Sequence, residues 1–345
     1  MGLLSTSREP RVTTATDAFI DGLPKAELHV HLEGSMLPQT LLKLARKHGV
    51  SGVPDTVEGI ESWYEFQDFG HFIQVYMRSI EALRDEEDFA LLAAETGRTL
   101  AAQNVRYAEV TVSLNGHMVR GVPAEAVFAG IEAGRREAER ETGVRMRWIP
   151  DFAGHLGPDA GEETLDAVLA HGPASVLGFG VGGPEVERDQ FAAVFDRARA
   201  AGLRSFPHAG EVEGADRVWS SIRALKADRI GHGIRSMDDP ELVAHLRDTQ
   251  LPLDVSPTSN LCTRAVARRA DHPLPRMIEA GLMVTLNSDD PPMFGTTLLG
   301  EYRYARELGL SAEALTELAR NGVRASFLEP AEKAALLAEI DAYVG

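Results

Sequence analysis

Cysteine is almost absent from this sequence, since Cys262 is the only one among 345 residues. An intrachain disulfide and a cysteine-rich metal site are therefore excluded, and a lone thiol is typical of a reducing cytoplasm. The sequence also lacks long apolar runs, so it contains neither a membrane span nor the apolar core of a signal peptide. We therefore expect a cytoplasmic protein with no membrane partner.

Basic residues are scarce relative to acidic ones. The chain has 35 lysines and arginines against 52 aspartates and glutamates, which gives a formal net charge of −17. An acidic surface of this kind repels the phosphate backbone of nucleic acids. We therefore expect no nucleic-acid partner.

Short apolar runs alternate with amphipathic helical stretches along most of the chain. This alternation is typical of parallel βαβ units. The predicted strands are residues 26–32, 105–112, 146–152, 176–181, 204–208, 229–232, 251–255 and 282–287. Eight such units predict an α/β fold, the (β/α)₈ or TIM barrel. An open doubly wound sheet fits less well, because no G-x-G-x-x-G loop follows the first strand.

One barrel domain is predicted over residues 21–345, preceded by a flexible N-terminal tail over residues 1–20. Residues 36–104 separate the first two strands and far exceed one βα connection, so we interpret them as a helical insertion. Four aromatic residues of the insertion recur at helical spacing: Phe66, Phe69, Phe72 and Tyr76. Such a stripe either packs the insertion onto the barrel or belongs to a lid over its mouth.

The first predicted strand carries a pair of histidines. Between Leu28 and Leu32 apolar and polar residues alternate, so strand geometry places His29 and His31 on one face. Two imidazoles on one face can share a metal ion, and zinc accepts neutral imidazole readily. The alternative is two unrelated polar residues on a half-buried strand.

Other reactive side chains lie at the ends of further predicted strands. His208 ends the fifth strand and His232 ends the sixth, whereas Asp289 and Asp290 follow the eighth. Barrel enzymes place their active sites at this end of the strands. The two histidines of the first strand, His208 and one of the aspartates would satisfy a zinc ion and leave a position open for water.

Two more residues suit proton transfer. Glu211 lies three residues after His208, where it could project over the metal-side pocket as a proton carrier. His232 suits a base, or an orienting charge beside a metal-bound water. The alternative for Glu211 is a carboxylate that merely stabilises a helix N-terminus. The alternative for His232 is a histidine whose ring hydrogen-bonds to the backbone within a turn.

These motifs, in this order, resemble the adenosine deaminase family of the amidohydrolase superfamily. The matching segments are Glu27-Leu-His-Val-His-Leu32, His208-Ala-Gly-Glu211, Gly231-His-Gly233 and Ser288-Asp-Asp-Pro291. The resemblance extends from about residue 23 to the C-terminal helices. It implies a TIM-barrel hydrolase with a single zinc ion that converts a 6-aminopurine nucleoside to the 6-oxopurine and ammonia.

The resemblance also implies a role for each site residue. The zinc ligands would be His29, His31, His208 and Asp289. Glu211 would protonate purine N1, His232 would position and deprotonate the attacking water, and Asp290 would contact N7. The backbone N–H of Gly183 would contact N3.

One departure from the family pattern bears on the substrate. Glu33 stands where adenosine-specific members usually carry an aspartate that contacts the ribose 5′-hydroxyl. Together with Gly182-Gly-Pro-Glu185 and Asn287-Ser-Asp-Asp-Pro-Pro-Met-Phe294, it most resembles actinobacterial enzymes that act on 6-aminodeoxyfutalosine in the futalosine route to menaquinone. The alternatives are an adenosine deaminase of purine salvage, an adenine deaminase and, in a different class, an inactive barrel that binds a nucleoside.

Discrimination among these substrates has to come from the 5′ side of the sugar. We expect Glu33 and the aromatic insertion to line that side, because an aromatic arm could bury its ring against Phe66, Phe69 or Phe72. A carboxylate at the end of the arm would need a donor, and Ser113 and Arg120 are candidates. For each of these two residues, the alternative is an ordinary solvated loop position.

Overall fold

Eight parallel strands lie side by side in chain order in the structure, a computed structural model that describes residues 15–345. They are β1 (Lys25–His31), β2 (Val105–Val112), β3 (Arg145–Ala153), β4 (Gly178–Gly182), β5 (Arg204–Ala209), β6 (Ile230–His232), β7 (Leu253–Val255) and β8 (Val284–Leu286). Each strand pairs in parallel with the next. Since every predicted strand overlaps an observed one, the predicted (β/α)₈ barrel is confirmed.

Sixteen α-helices surround the barrel within the described residues. They are α1 (Asp17–Gly22), α2 (Pro38–His48), α3 (Val57–Trp63), α4 (Phe69–Ile80), α5 (Glu86–Ala102), α6 (Leu114–Met118), α7 (Ala124–Thr142), α8 (Pro158–His171), α9 (Ala192–Ala200), α10 (Ala215–Arg223), α11 (Pro240–Thr249), α12 (Pro257–Cys262), α13 (Leu274–Glu279), α14 (Leu298–Glu307), α15 (Ala312–Ala325) and α16 (Pro330–Val344). None of them is long and apolar enough to cross a membrane.

Local sequence signals explain where several helices begin and end. The side chain of Asp68 accepts a hydrogen bond from the backbone N–H of His71 and caps α4. Asp85 caps α5 as part of a capping box with Asp88. Helix α7 ends at Gly143, whose positive φ of 78° suits a residue without a side chain.

The expected insertion between β1 and β2 consists of helices α2 to α5. Residues 1–14 of the expected N-terminal tail lie outside the described residues. Residues 17–20 depart from that expectation, because they belong to α1 and Ile20 is fully buried. Burial of this side chain explains why the segment is held against the domain.

The barrel closes through residues that follow β8. The backbone N–H of His31 donates to the carbonyl of Asp289 at 2.8 Å, and the N–H of Asp289 donates to the carbonyl of His29 at 3.0 Å. The side-chain oxygen of Asn287 accepts from the backbone N–H groups of Leu28 and His29. The backbone of Asp289 and the side chain of Asn287 therefore take the place of a longer strand pairing between β8 and β1.

Arg229 is buried inside the barrel below the strand ends. Its guanidinium lies 2.6 Å from a carboxylate oxygen of Glu109 and also pairs with Asp254. It donates to the carbonyl of Leu28 at 3.0 Å and lies over the ring of Phe206. One cation thus links β1, β2 and β7 through groups that are all shielded from solvent.

We expect Arg229→Met to lower the free energy of unfolding by about 3–5 kcal/mol, because it leaves two buried carboxylates without their cation. Denaturant-induced unfolding would measure the change. Arg247→Met is the matched control, since Arg247 is half-exposed and, within residues 15–345, forms an ion pair only with the exposed Asp248. A loss below about 1 kcal/mol, as expected for a surface ion pair, would contradict the importance of this buried cation.

Candidate active site

The predicted metal-ligating residues converge at the C-terminal ends of the strands. His29 and His31 come from β1, His208 comes from β5, and Asp289 follows β8. The Nε2 atoms of His29 and His31 each lie 3.4 Å from Oδ1 of Asp289. The Nε2 atoms of His31 and His208 are 3.2 Å apart. Three imidazole nitrogens and one carboxylate oxygen therefore face a common point.

This donor set fits a metal ion such as zinc. Nitrogen and oxygen ligands without sulfur suit a catalytic site that keeps one position open. Nε2 of His29 is buried and has no hydrogen-bond partner among the described residues, as expected of a nitrogen reserved for a ligand. His29, His31 and Asp289 lie close enough together to hold one ion.

Burial sets the protonation of these groups. It lowers the pKa of His29, lowers that of His31 to about 4, and brings that of His208 well below its usual value. Burial alone would raise the pKa of Asp289, but the surrounding histidines outweigh it and hold that pKa well below its usual range. Neutral imidazoles around an ionised carboxylate are the protonation states that metal binding requires.

The backbone around β4 and β5 orients His208. Its Nδ1 lies 3.2 Å from the carbonyl oxygen of Val181, so that Nε2 is left for the metal side. The guanidinium of Arg188 donates to the carbonyl of His208 at 2.6 Å. Such outer contacts fix the ring orientation of a ligating histidine.

Glu211 lies on a turn that another carboxylate holds in place. The side chain of Glu185 accepts hydrogen bonds from the backbone N–H groups of Gly210, Glu211 and Val212 at 2.7–2.9 Å. One oxygen of Glu211 accepts from the hydroxyl of Thr263 at 3.1 Å. Burial, together with nearby negative charge, raises the pKa of Glu211 to about 7. Glu211 is therefore able to carry a proton near neutral pH.

His232 connects the acid to the metal-ligating cluster. Its Nε2 lies 3.5 Å from Glu211 and 3.7 Å from Asp289. Burial alone would lower the pKa of His232, but these two carboxylates outweigh it and raise that pKa above its usual value. His232 and Asp289 both have a positive φ, 63° and 64°, which is uncommon for residues with a side chain.

Asp290 is buried beside the cluster. Its Oδ1 has no hydrogen-bond partner among the described residues. Burial and the neighbouring Asp289 raise its pKa well above the usual value. A side chain at position 34 would overlap this carboxylate, since a Cβ on Gly34 would lie 1.7 Å from Oδ1. The glycine therefore leaves the space that the Asp290 carboxyl occupies.

A cavity of about 310 Å³ opens over these groups. Of the predicted substrate-binding residues, Gly183, Phe69, Ser113 and Asp290 line it. Its outer part is apolar and consists of Phe69, Ile73, Met77, Val119 and Leu156, which we call the apolar rim. Three rim residues are substantially exposed: Met77 by 38%, Val119 by 61% and Leu156 by 48%. The size is suitable for a small-molecule ligand.

Two of the predicted substrate-binding residues do not line this cavity. Phe66 packs against Phe72 and Phe294, with ring centroids 5.3 and 5.8 Å apart, and so fixes the insertion to the loop after β8. Glu33 is fully buried and is held by protein donors instead. Phe66 and Glu33 were expected to contact the substrate, but in this structure both support the surrounding fold instead.

The donors to Glu33 come from two other segments. One of its oxygens lies 2.7 Å from Nε2 of His117 and accepts the backbone N–H of Ser113 at 3.1 Å, and the other accepts the hydroxyl of Tyr76 at 3.3 Å. Arg120 can only donate, and its guanidinium lies 2.6 Å from Nδ1 of His117. His117 therefore accepts from Arg120 and donates from Nε2 to Glu33.

Sequence reasoning missed two groups that belong to the site. Asp151, near the end of β3, lines the cavity, and Thr263 supports Glu211. The signal for Asp151 was present in the sequence, because a carboxylate at the end of a strand is the pattern that identified Asp289. Thr263 gave no signal, since it meets Glu211 only through the path of the chain after β7.

The chain matches the adenosine deaminase family over residues 24–343. It therefore belongs to the adenosine deaminase family. Among curated relatives, the aminodeoxyfutalosine deaminase of Streptomyces avermitilis is 46% identical over 98% of this chain and 96% of its own. That of Streptomyces coelicolor is 47% identical over 97% and 88%. The adenine deaminase of Rhodospirillum rubrum is 40% identical over 94% and 98%.

Solved structures agree with this family assignment. An adenine deaminase from Arthrobacter aurescens superposes with a TM-score of 0.90 at 36% identity, covering 93% of this chain and 99% of that one. A zinc-bound amidohydrolase from Burkholderia ambifaria has a TM-score of 0.87 at 28% identity, covering 98% and 96%. This member of the family is thus a metal-dependent deaminase.

We expect His208→Ala to lose most of its bound metal, because it removes one of the nitrogens that face the common point. The drop in metal affinity should exceed the 10–100-fold that is typical of residues outside the ligand set. Metal analysis of the purified protein, together with a folding check by circular dichroism, would measure it. His171→Ala is the control, since His171 is exposed at the end of α8. Unchanged metal content in His208→Ala would exclude His208 as a ligand.

Proposed function

We propose that this enzyme uses one zinc ion to deaminate 6-aminodeoxyfutalosine to its 6-oxopurine product and ammonia, with weaker activity on adenosine. The apolar rim around the cavity carries the substrate assignment, because adenosine alone offers nothing apolar to reach it. The higher identity to the two Streptomyces enzymes, 46% and 47%, than to the adenine deaminase, 40%, supports the same choice. The reaction would serve the futalosine route to menaquinone.

Four residues would hold the zinc ion, and they are His29, His31, His208 and Asp289. When bound, zinc supplies an acidified water as the nucleophile near neutral pH. The separations of 3.2–3.4 Å among their facing atoms support this assignment. His232 approaches the same carboxylate, within 3.7 Å, and would orient the water and take its proton.

The other site residues would act on the purine. Glu211, with its pKa raised to about 7 by burial, would donate a proton to N1 and so make C6 a better electrophile. The carboxyl of Asp290, whose pKa is raised by burial and by Asp289, would donate a hydrogen bond to N7. The backbone N–H of Gly183, at the end of β4, would contact N3.

The apolar rim suits an aromatic substituent on the 5′ carbon. Phe69 and Ile73 from α4 and Leu156 from the loop after β3 would contact the ring, and burial of an aromatic ring is favourable by a few kcal/mol at most. No lysine or arginine of the described residues lines the cavity. The guanidinium of Arg120 is already occupied by the carbonyls of Gly116 and Leu83 and by His117.

His155 is therefore the best-placed donor for a carboxylate on the arm. It lines the cavity, is exposed, and has no hydrogen-bond partner among the described residues. A cytoplasmic location without nucleic-acid or membrane partners agrees with this small-molecule role and stays a prediction. An inactive nucleoside-binding barrel is disfavoured, because Glu211 and His232 both lie beside the metal-ligating cluster.

We expect Glu211→Gln to retain zinc and fold but to lose about 10²–10⁴-fold in turnover, since an amide cannot protonate N1. Steady-state kinetics with adenosine and with 6-aminodeoxyfutalosine would measure the loss. Glu213→Gln is the control, because Glu213 is exposed on the same turn. Turnover within about tenfold of wild type, outside that range, would mean that Glu211 is not the proton donor.

We expect a substrate panel to give the highest kcat/KM for 6-aminodeoxyfutalosine, a lower value for adenosine and a poor one for adenine. His155→Ala should lower kcat/KM for the carboxylated nucleoside by about tenfold, the value of one hydrogen bond to a charged group, and leave adenosine unchanged. Adenosine as the better substrate by tenfold or more would refute the proposed 5′ arm. Turnover of adenine alone would instead favour an adenine deaminase.

A further inference from the structure

Asp151 is a buried carboxyl that none of the roles above explains. It lies near the end of β3, lines the cavity and is only 5% exposed. Among the described residues no lysine, arginine or histidine forms an ion pair with it. Since buried polar groups are normally hydrogen-bonded, this carboxyl is poised for a partner that enters the cavity.

The groups around Asp151 are polar, but few of them can donate a hydrogen bond to its carboxyl. The hydroxyl of Ser113, which follows β2, interacts with Asp151 and also lies 2.9 Å from the hydroxyl of Tyr76. Burial and the negative charge of Glu33 raise the pKa of Asp151 well above its usual value, and only Ser113 opposes this shift. Ser113 and Asp151 together form a small polar patch on the cavity wall.

Glycine on the neighbouring strand leaves room beside this carboxyl. A Cβ on Gly182 would lie 3.0 Å from Oδ2 of Asp151 and 3.4 Å from Nδ1 of His208. The patch is therefore adjacent to the end of β4, where Gly183 would meet purine N3. In a nucleoside the sugar is attached to N9, next to the N3 edge, so its ring hydroxyls emerge on this side of the base.

The expected sugar ligand, Glu33, is not available for this role. Both of its oxygens are occupied by protein donors and it lies outside the cavity wall. The polar patch is then an available acceptor on the β1–β3 side of the cavity, beside the unpartnered Oδ1 of Asn115.

We propose that Asp151, supported by Ser113, hydrogen-bonds to the 2′- or 3′-hydroxyl of the substrate's sugar and so discriminates against nucleosides that lack that hydroxyl. This inference rests on the proposed function, because the deaminated purine defines where the sugar lies. Asp151 would act only by recognition and would take no part in the chemistry at C6.

The test compares adenosine, 2′-deoxyadenosine, 3′-deoxyadenosine and adenine with wild-type enzyme and with Asp151→Ala. Wild type should prefer adenosine over at least one deoxy analogue by about tenfold or more, since removal of a hydroxyl leaves a buried polar group unpaired. Asp151→Ala should lose that preference by becoming slower with adenosine and with the deoxy analogue that retains the contacted hydroxyl. Asp151→Asn, which retains an acceptor oxygen, should recover part of it.

Zinc content and the exposed control Asp248→Ala complete the design. Asp151→Ala should retain its zinc and its activity on adenine. An equal loss on all four substrates, a loss of zinc, or an unchanged preference for both hydroxyls would overturn the assignment of Asp151. If wild type deaminates neither these four purines nor 6-aminodeoxyfutalosine, the proposed function fails and the sugar site fails with it.

Discussion

The active site depends on how the barrel closes between β8 and β1. Asp289 exchanges backbone hydrogen bonds with His29 and His31. The side-chain oxygen of Asn287 accepts hydrogen bonds from two backbone N–H groups of the same strand, β1. These contacts hold the Asp289 carboxylate against the two imidazoles at 3.4 Å. The contacts that close the barrel thus also position three of the four metal-ligating side chains.

Charge is distributed unevenly along the barrel axis. Below the strand ends, the cation of Arg229 balances Glu109 and Asp254. Above them, the carboxyl groups of Glu211, Asp290 and Asp151 are buried without a lysine or arginine partner among the described residues, and burial raises the pKa of each. The upper half therefore holds carboxyl groups that can donate protons or hydrogen bonds near neutral pH, as the recognition of a purine nucleoside requires.

The strands and the polar residues at their ends could be predicted because both follow from short-range patterns. Alternation identified His29 and His31, and position after a strand identified His208 and Asp289 as residues of the same face. The direction of a side chain at the mouth depends instead on partners that are distant in sequence. Glu33 turns into the protein because His117, 84 positions later, binds it, and no local pattern predicts that contact.

The left-handed backbone at His232 and Asp289 has a consequence for the evolution and engineering of this enzyme. Such conformations cost residues with side chains of the order of 1–3 kcal/mol, whereas glycine adopts them easily. Glycine would relieve the strain at these two positions, but it has no side chain to bind a metal ion or carry a proton. Stability and activity are therefore opposed here, and selection for heat resistance alone would favour replacements that remove the chemistry.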